Sequence, residues 1–104
     1  MKKRTVFVIF TATKLENRDD YRTKKRYCFN TESDVSEGDM LSSKAYQTPL
    51  QVVTVLDKDY KYYNETTGDL SNEITSTAQR EIKDLVIQDK QKDDAVYASK
   101  ISFL

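Results

Sequence analysis

RTVFVIFTATK, residues 4–14, decides the fold class. The run is dense in β-branched and aromatic residues and carries no helix-period pattern, which predicts a strand. Val6, Val8, Phe10 and Ala12 share one face, and Phe7 and Ile9 the other, because side chains alternate along a strand. Apolar residues on both faces predict a central strand covered from both sides, or a strand of a tight barrel.

LENRDD (15–20) reads as a polar connection rich in turn formers. A second strand is expected over YRTKKRYCFNTE (21–32), paired antiparallel with the first across this short separation. There Arg22, Lys24, Arg26, Cys28 and Asn30 would share one face, while the opposite face turns apolar at Tyr27 and Phe29. The three cations would repeat about every 6.5–7 Å. Such a row is either a solvated edge that discourages strand-to-strand aggregation or a binding stripe.

Further along, Ser33–Glu37 forms a loop and Glu37-Gly38-Asp39 a bend. Gly38 would set the backbone, since glycine enters the left-handed region freely, and Asp39 would hydrogen-bond within the turn. Met40 and Leu41 resume a strand. Pro49 suits the start of the next one, LQVVTVLD (50–57), rather than its interior. Leu50, Val52, Thr54 and Leu56 would face one way, Val53 and Val55 the other. Tyr60–Tyr63 suggests a short strand or ordered loop, followed by a Thr67-Gly68-Asp69 turn. Ser71 could cap a helix carrying Ile74, Ala78 and Ile82, although its serines and threonines disfavour it. IKDLVIQD (82–89) alternates like a strand closing the sheet, and AVYASKISFL (95–104) reads as a last strand or a sticky tail. The expected fold is mainly β with at most one short helix: a small antiparallel barrel or strongly bent sheet of five to six strands, in one domain over residues 1–104. A five-stranded oligonucleotide-binding-type barrel is one such solution.

Composition narrows the function more than any motif does. Hydrophobic residues make up 38% and charged residues 33%, yet seven Tyr and four Phe argue against disorder. Net charge is zero, which removes the simplest argument for nucleic acid. The charge is nevertheless uneven: residues 1–30 hold nine Lys or Arg against three acids, and residues 31–104 eight against fourteen. The single cysteine, Cys28, allows no internal disulfide and suits a reducing, cytoplasmic setting. Met-Lys-Lys-Arg followed by Val6–Phe10 has too short an apolar core for a signal peptide, and no stretch is long enough to span a membrane as a helix.

With no histidine, the usual general base near neutral pH is missing, and one cysteine cannot build an ordinary zinc site. Gly38 and Gly68 are the only glycines, so there is no glycine-rich phosphate loop. The pairs Asp19-Asp20, Glu37/Asp39, Asp57/Asp59 and Asp93-Asp94 read as turn residues. Cys28 beside the cationic row is either a thiol with a lowered pKa or a small filler. No catalytic residue, metal or cofactor is expected.

RYCFNTESDVSEGDMLSS, followed by LQVVTVLD, carries a family resemblance. An aromatic strand enters a loop, a glycine-centred turn follows, and then a short apolar strand and a V-x-V run. The pattern resembles the N-terminal DNA-binding domain of the primosomal helicase PriA and small phage and mobile-element proteins that share it. It covers residues 21–89, with IKDLVIQD similar to the closing segment. The resemblance implies a small barrel engaging the 3′ end of single-stranded DNA, with Tyr27 as an aromatic of the site and Gly38 as the turn glycine. The acidic residue expected after the aromatic is Cys28 here, and the Val-Pro-Phe-like run is Leu41-Ser42-Ser43.

Two functions follow as expectations. The first is a non-enzymatic binding module, an accessory protein of a phage or mobile element that binds a host protein or self-associates through Tyr60, Tyr62, Tyr63 and the apolar Ile101–Leu104. The alternative is a single-stranded nucleic-acid-binding protein. Arg22, Lys24, Lys25 and Arg26 would then meet phosphates, and Tyr21, Tyr27 or Tyr60–Tyr63 would stack on bases at about 1–3 kcal/mol per base.

Overall fold

The first strand forms as expected and sits at the centre of the larger of two antiparallel sheets. In the computed structural model, which describes residues 2–91, β1 (Arg4–Phe10) lies between β2 (Tyr27–Thr31) and β4 (Tyr46–Val55). Beyond β4 come β3 (Met40–Ser43) and β8 (Asp89–Gln91), giving the order β2-β1-β4-β3-β8. The smaller sheet joins β5 (Tyr62–Asn64), β6 (Leu70–Ser71) and β7 (Gln79–Glu81) in the order β6-β5-β7. The protein is mainly β; among the described residues both sheets are open, and no ladder closes a barrel.

Both faces of β1 are covered, as its sequence predicts. Val6 and Val8 pack with Phe29, Leu41, Leu50 and Val52 in the core cluster. On the other face the row Ile9–Gln51–Met40 runs across β1, β4 and β3. Ile9, Gln51 and Met40 are all buried, because the Gln51 amide holds the 11–16 connection down: it donates to Leu15 O at 2.7 Å and accepts from Leu15 N–H at 2.8 Å. The strand stops at Phe10 as Thr11 Oγ1 turns to Thr13 O at 2.7 Å, a local bond that competes with the ladder.

Several expectations are corrected. Residues 21–26 are not strand. Asn17 accepts from Asp19 N–H at 3.0 Å and caps a single helical turn, α1 (Arg18–Tyr21), with Asp19 and Asp20 at its positive end. β2 therefore begins only at Tyr27, and Arg22, Lys24 and Arg26 do not form a strand-spaced row. Pro49 lies inside β4, beside a register shift between Leu41 and Ser43 where a ladder donor can be dispensed with. A second shift pairs Val6 with Val55 but Val8 with Val52, which brings Val55 to the core side beside Leu50 and Val52.

The helix option over 71–82 fails too. Gln79 Oε1 accepts from Thr75 and Ser76 N–H at 2.6 and 3.1 Å, and its amide donates to Glu73 O at 3.0 Å, so local bonds wind the segment into turns. Among the described residues, 82–89 join the β2 ladder through a single bridge at Asn30, and only their last residue, Asp89, enters β8, which extends the sheet beyond β3. The stretch 95–104 lies outside the described residues.

The EGD bend is as expected. Gly38 takes φ +90°, Asp39 N–H donates to Ser36 O at 3.1 Å, and the Asp39 carboxylate accepts from Ser36 N–H at 2.9 Å. Val52 clamps the turn from β4, accepting from Gly38 N–H at 2.8 Å and donating to Asp39 O at 2.9 Å.

A groove between the two sheets as the candidate functional site

The segment 79–85 passes from one sheet to the other. At its start Ile82 N–H donates to Lys61 O at 2.8 Å, continuing the β5–β7 ladder. At its end Asn30 N–H donates to Lys83 O at 3.0 Å and Leu85 N–H to Asn30 O at 2.7 Å, a parallel bridge to β2. Main-chain groups alternate in direction along a strand. Cys28 therefore points its N–H and C=O to the same side as Asn30, away from β1, and Glu81 points its own to the same side as Lys83, away from β5. The next rung of the parallel ladder would join Cys28 to Glu81. Among the described residues that rung is absent, and the two strands part.

Where they part, a groove of about 530 Å³ opens. Arg26, Tyr27 and Cys28 line one side and Tyr63, Arg80 and Glu81 the other, with Lys25, Glu65 and Ile82 around them. Tyr27 is 37% exposed and is held from behind by aromatic edges. Its ring centroid lies 4.9 Å from Phe10, which lies 5.2 Å from Tyr46, itself 5.7 Å from Phe29. Lys25 Nζ stands 5.1 Å from the Tyr27 ring, a cation–π distance. Tyr63 packs edge-on to Phe7 at 6.5 Å. Arg80 pairs with Glu65 at 3.8 Å, an exposed contact of little energetic weight. Lys25 and Arg26 take part in none of the ion pairs described.

Of the cations singled out in the sequence, Arg26 lines the groove together with Lys25. Arg22 and Lys24 do not line it; Arg22 caps α1 and faces Asp19 at 3.8 Å. The aromatic of the basic run, Tyr27, belongs to the groove, whereas Gly38 does not. Tyr27 pairs with Val8, Val8 with Val52, and Val52 bonds Gly38. Three ladder spacings of ~4.8 Å put the two residues ~14 Å apart along the sheet.

The tyrosine cluster is also divided. Tyr63 enters the groove, while Tyr62, on the other face of β5, lines a separate cavity of about 370 Å³ with Lys3 and Asp84. Tyr60 is half-buried, with Lys58 Nζ 5.3 Å from its ring. Arg80, Glu81 and Ile82 were not foreseen, and nothing local marks Gln79-Arg80-Glu81: only the tertiary crossing of 79–85 brings them to β2.

Burial pushes the Cys28 thiol up to about 11, so it is protonated near neutral pH. That corrects the option of a thiolate activated by the neighbouring cations. No set of three His, Cys, Asp or Glu side chains among the described residues is placed to hold a metal ion, and no helix among them is long and apolar enough to cross a membrane. Compared with protein-family models, curated proteins and solved structures, the chain finds no match in any of the three.

Proposed function

We propose that the protein is a non-enzymatic binding module whose groove between the sheets takes an extended stretch of a protein partner. The observation that carries this reading is the missing rung between Cys28 and Glu81. Two strand edges direct main-chain donors and acceptors into one groove, and an added strand satisfies such edges. Tyr27 and Tyr63 supply flat, rotamer-poor contact area, a residue type enriched at interfaces. The partner is a host protein, as for an accessory protein of a phage or mobile element, or a second copy of the chain.

The test is retention of a partner by wild type and by two groove variants, Cys28→Pro and Tyr63→Ala. Proline at 28 removes the outward N–H, which no ladder bond to β1 uses, but it also fixes φ and replaces the half-buried thiol, so its fold is checked by circular dichroism. The reading requires that a protein held by wild type, self or other, be lost from both variants and kept by Gly38→Ala. Retention by both groove variants overturns it.

A second reading is supported by Lys25 over the Tyr27 ring with Arg26 beside it. Exposed cations flanking a braced aromatic are the elements of a single-stranded nucleic-acid platform, and the likeness of RYCFN to the primosomal domain points the same way. Fluorescence anisotropy with single- and double-stranded oligonucleotides tests it. Micromolar single-strand binding that weakens steeply with salt supports it; no binding at low salt removes it.

A further inference from the structure

We propose that one bare corner of the larger sheet's core face docks an acidic segment of a partner protein. Tyr27, Phe10 and Tyr46 form the floor of this corner, and Lys25, Arg26 and Lys44 border it in space or in sequence. The proposal rests on the reading that the partner is a protein and names that partner's chemistry; it requires no strand between β2 and β7.

The corner follows from how the core face is covered. Segment 82–89 crosses that face from β2 to β3: Leu85 N–H donates to Asn30 O at 2.7 Å, and Gln88 N–H to Ser42 O at 2.8 Å. On the way, Leu85 and Ile87 join the cluster of Val6, Val8, Leu41 and Leu50. Val35 adds cover where β1 begins, its carbonyl accepting from the Arg4 guanidinium at 3.3 Å. At the opposite end, where β1 stops and β2 and β4 start, the core face is closed among the described residues by its own aromatics. Tyr27 lies opposite Val8, and Phe10 shares their face two residues on. The Tyr46 ring reaches over from β4, 5.2 Å from Phe10 and 5.7 Å from Phe29. Tyr27 and Tyr46 are exposed and Phe10 is half-buried.

Charge decides the occupant. Residues 22–29 and 42–48, which carry Tyr27 and Tyr46, hold Arg22, Lys24, Lys25, Arg26 and Lys44 and no acid. Arg22 is matched by Asp19, but the other four take part in no ion pair among the described residues. A second copy meeting this corner across a twofold axis would set the same cations against each other. A nucleic-acid strand needs open ring faces on which to stack its bases. Here Phe10 stands at 79° to Tyr27 and 63° to Tyr46, and Lys25 lies over Tyr27, so ring faces are already in use. Beyond the corner, residues 31–104 hold eight bases against fourteen acids, which repels a long phosphate chain. A short acidic segment meets neither obstacle. Its carboxylates face the cations and accept from tyrosine hydroxyls, and its apolar side chains cover the ring edges.

Fluorescence anisotropy of the full chain tests this, with the fold of every variant checked by circular dichroism. The probes are a labelled peptide of alternating Glu and Phe, its counterparts with Gln or Lys for Glu, and an oligothymidylate. The Glu peptide should bind, and weaken with salt, at least about tenfold more tightly than the Gln peptide and the oligothymidylate. Lys25→Glu/Lys44→Glu and Tyr46→Ala should each weaken it at least about tenfold, while Lys58→Glu/Lys61→Glu, beside Tyr60, should not. No binding of the Glu peptide overturns the proposal, including where the chain's own residues already cover the corner. Tighter binding of the oligothymidylate overturns it in favour of nucleic acid, and equal loss in Lys58→Glu/Lys61→Glu shows attraction without a site. A retained partner separates this corner from the groove. Loss from Cys28→Pro and Tyr63→Ala with retention by Tyr46→Ala and Lys44→Glu overturns the corner and leaves the groove reading standing. The reverse pattern upholds the corner and removes the groove.

Discussion

Thr5 and Asn30 face each other across β1 and β2, and the Thr5 hydroxyl donates to the Asn30 side-chain oxygen in the protein interior. Around this pair the two sheets are fastened together. Tyr60 N–H donates to Thr5 Oγ1 at 2.8 Å, the Asn30 amide donates to Tyr60 O at 2.8 Å, and the Asn30 main chain bonds Lys83 and Leu85. The pair thus fixes both ends of the small sheet on β2, and with them the point where the groove begins. Asn30→Ala would leave the buried Thr5 hydroxyl proton without its acceptor and the Tyr60 carbonyl without its donor. We expect a loss of about 1–3 kcal/mol in chemical denaturation, with faster hydrogen exchange over 60–64 and 79–85 than over β1. Uniform exchange across both sheets would contradict the fastening.

Gly38 and Gly68 give a matched pair of backbone tests. Both have positive φ, +90° and +80°. A Cβ at Gly38 would meet Lys14 at an ordinary 3.5 Å, and one at Gly68 would meet nothing within 4 Å. Steric crowding is therefore not the cost; the left-handed backbone is. Alanine at either site should lower stability by about 1–2 kcal/mol, read from the denaturant midpoint. Gly38→Ala should leave groove binding unchanged, because the turn is three ladder spacings from Tyr27.

The Cys28 thiol makes a pH prediction. Its pKa rises from 9.0 to about 11 through burial, so the native state holds its proton longer than the unfolded chain does. The stability linked to this group is fully present below the unfolded value and is lost as pH rises through about 11. Alkylation of Cys28 should accordingly be slow at pH 8 and climb toward pH 11, while in denaturant the rise should centre near the ordinary thiol value. A fast reaction at pH 7 in the native protein would contradict the burial.

Leu50 tests the core. It is fully buried, where β4 meets β1 and β3, so Leu50→Ala should cost about 2–5 kcal/mol by lost transfer and the cavity left behind. Val86→Ala, at a side chain 78% exposed, should stay within about 0.5 kcal/mol.

How much of this was legible differs element by element. RTVFVIF announced a strand covered on both faces because apolar side chains occupy both alternation phases, and the structure covers both. The EGD bend was legible because Gly38 and Asp39 act locally. Residues 21–26 were misread because alternation in TKKRY looks like strand, while the Asn17 cap and Asp19-Asp20 upstream favour a helical turn. The shared face of Leu50 and Val52 was legible, but Val55 beyond them was misassigned because a register shift is a property of the pairing and leaves no mark in LQVVTV. The groove was half legible: Tyr27 and Arg26 stood out by type. Glu81 and Arg80 reach them through the crossing of 79–85, which depends on Asn30 and on Lys61, far away in sequence.

The most direct measurement is residue-resolved amide hydrogen exchange at Cys28 and Glu81 by NMR, from dilute to concentrated protein. If the groove takes an extended segment of a partner, a second copy included, both amides exchange freely in the dilute protein alone and gain protection together as a retained partner or the protein's own concentration is raised, while Val8 and Val52 stay protected throughout. Exchange at Cys28 and Glu81 unchanged both by concentration and by a retained partner would contradict the account.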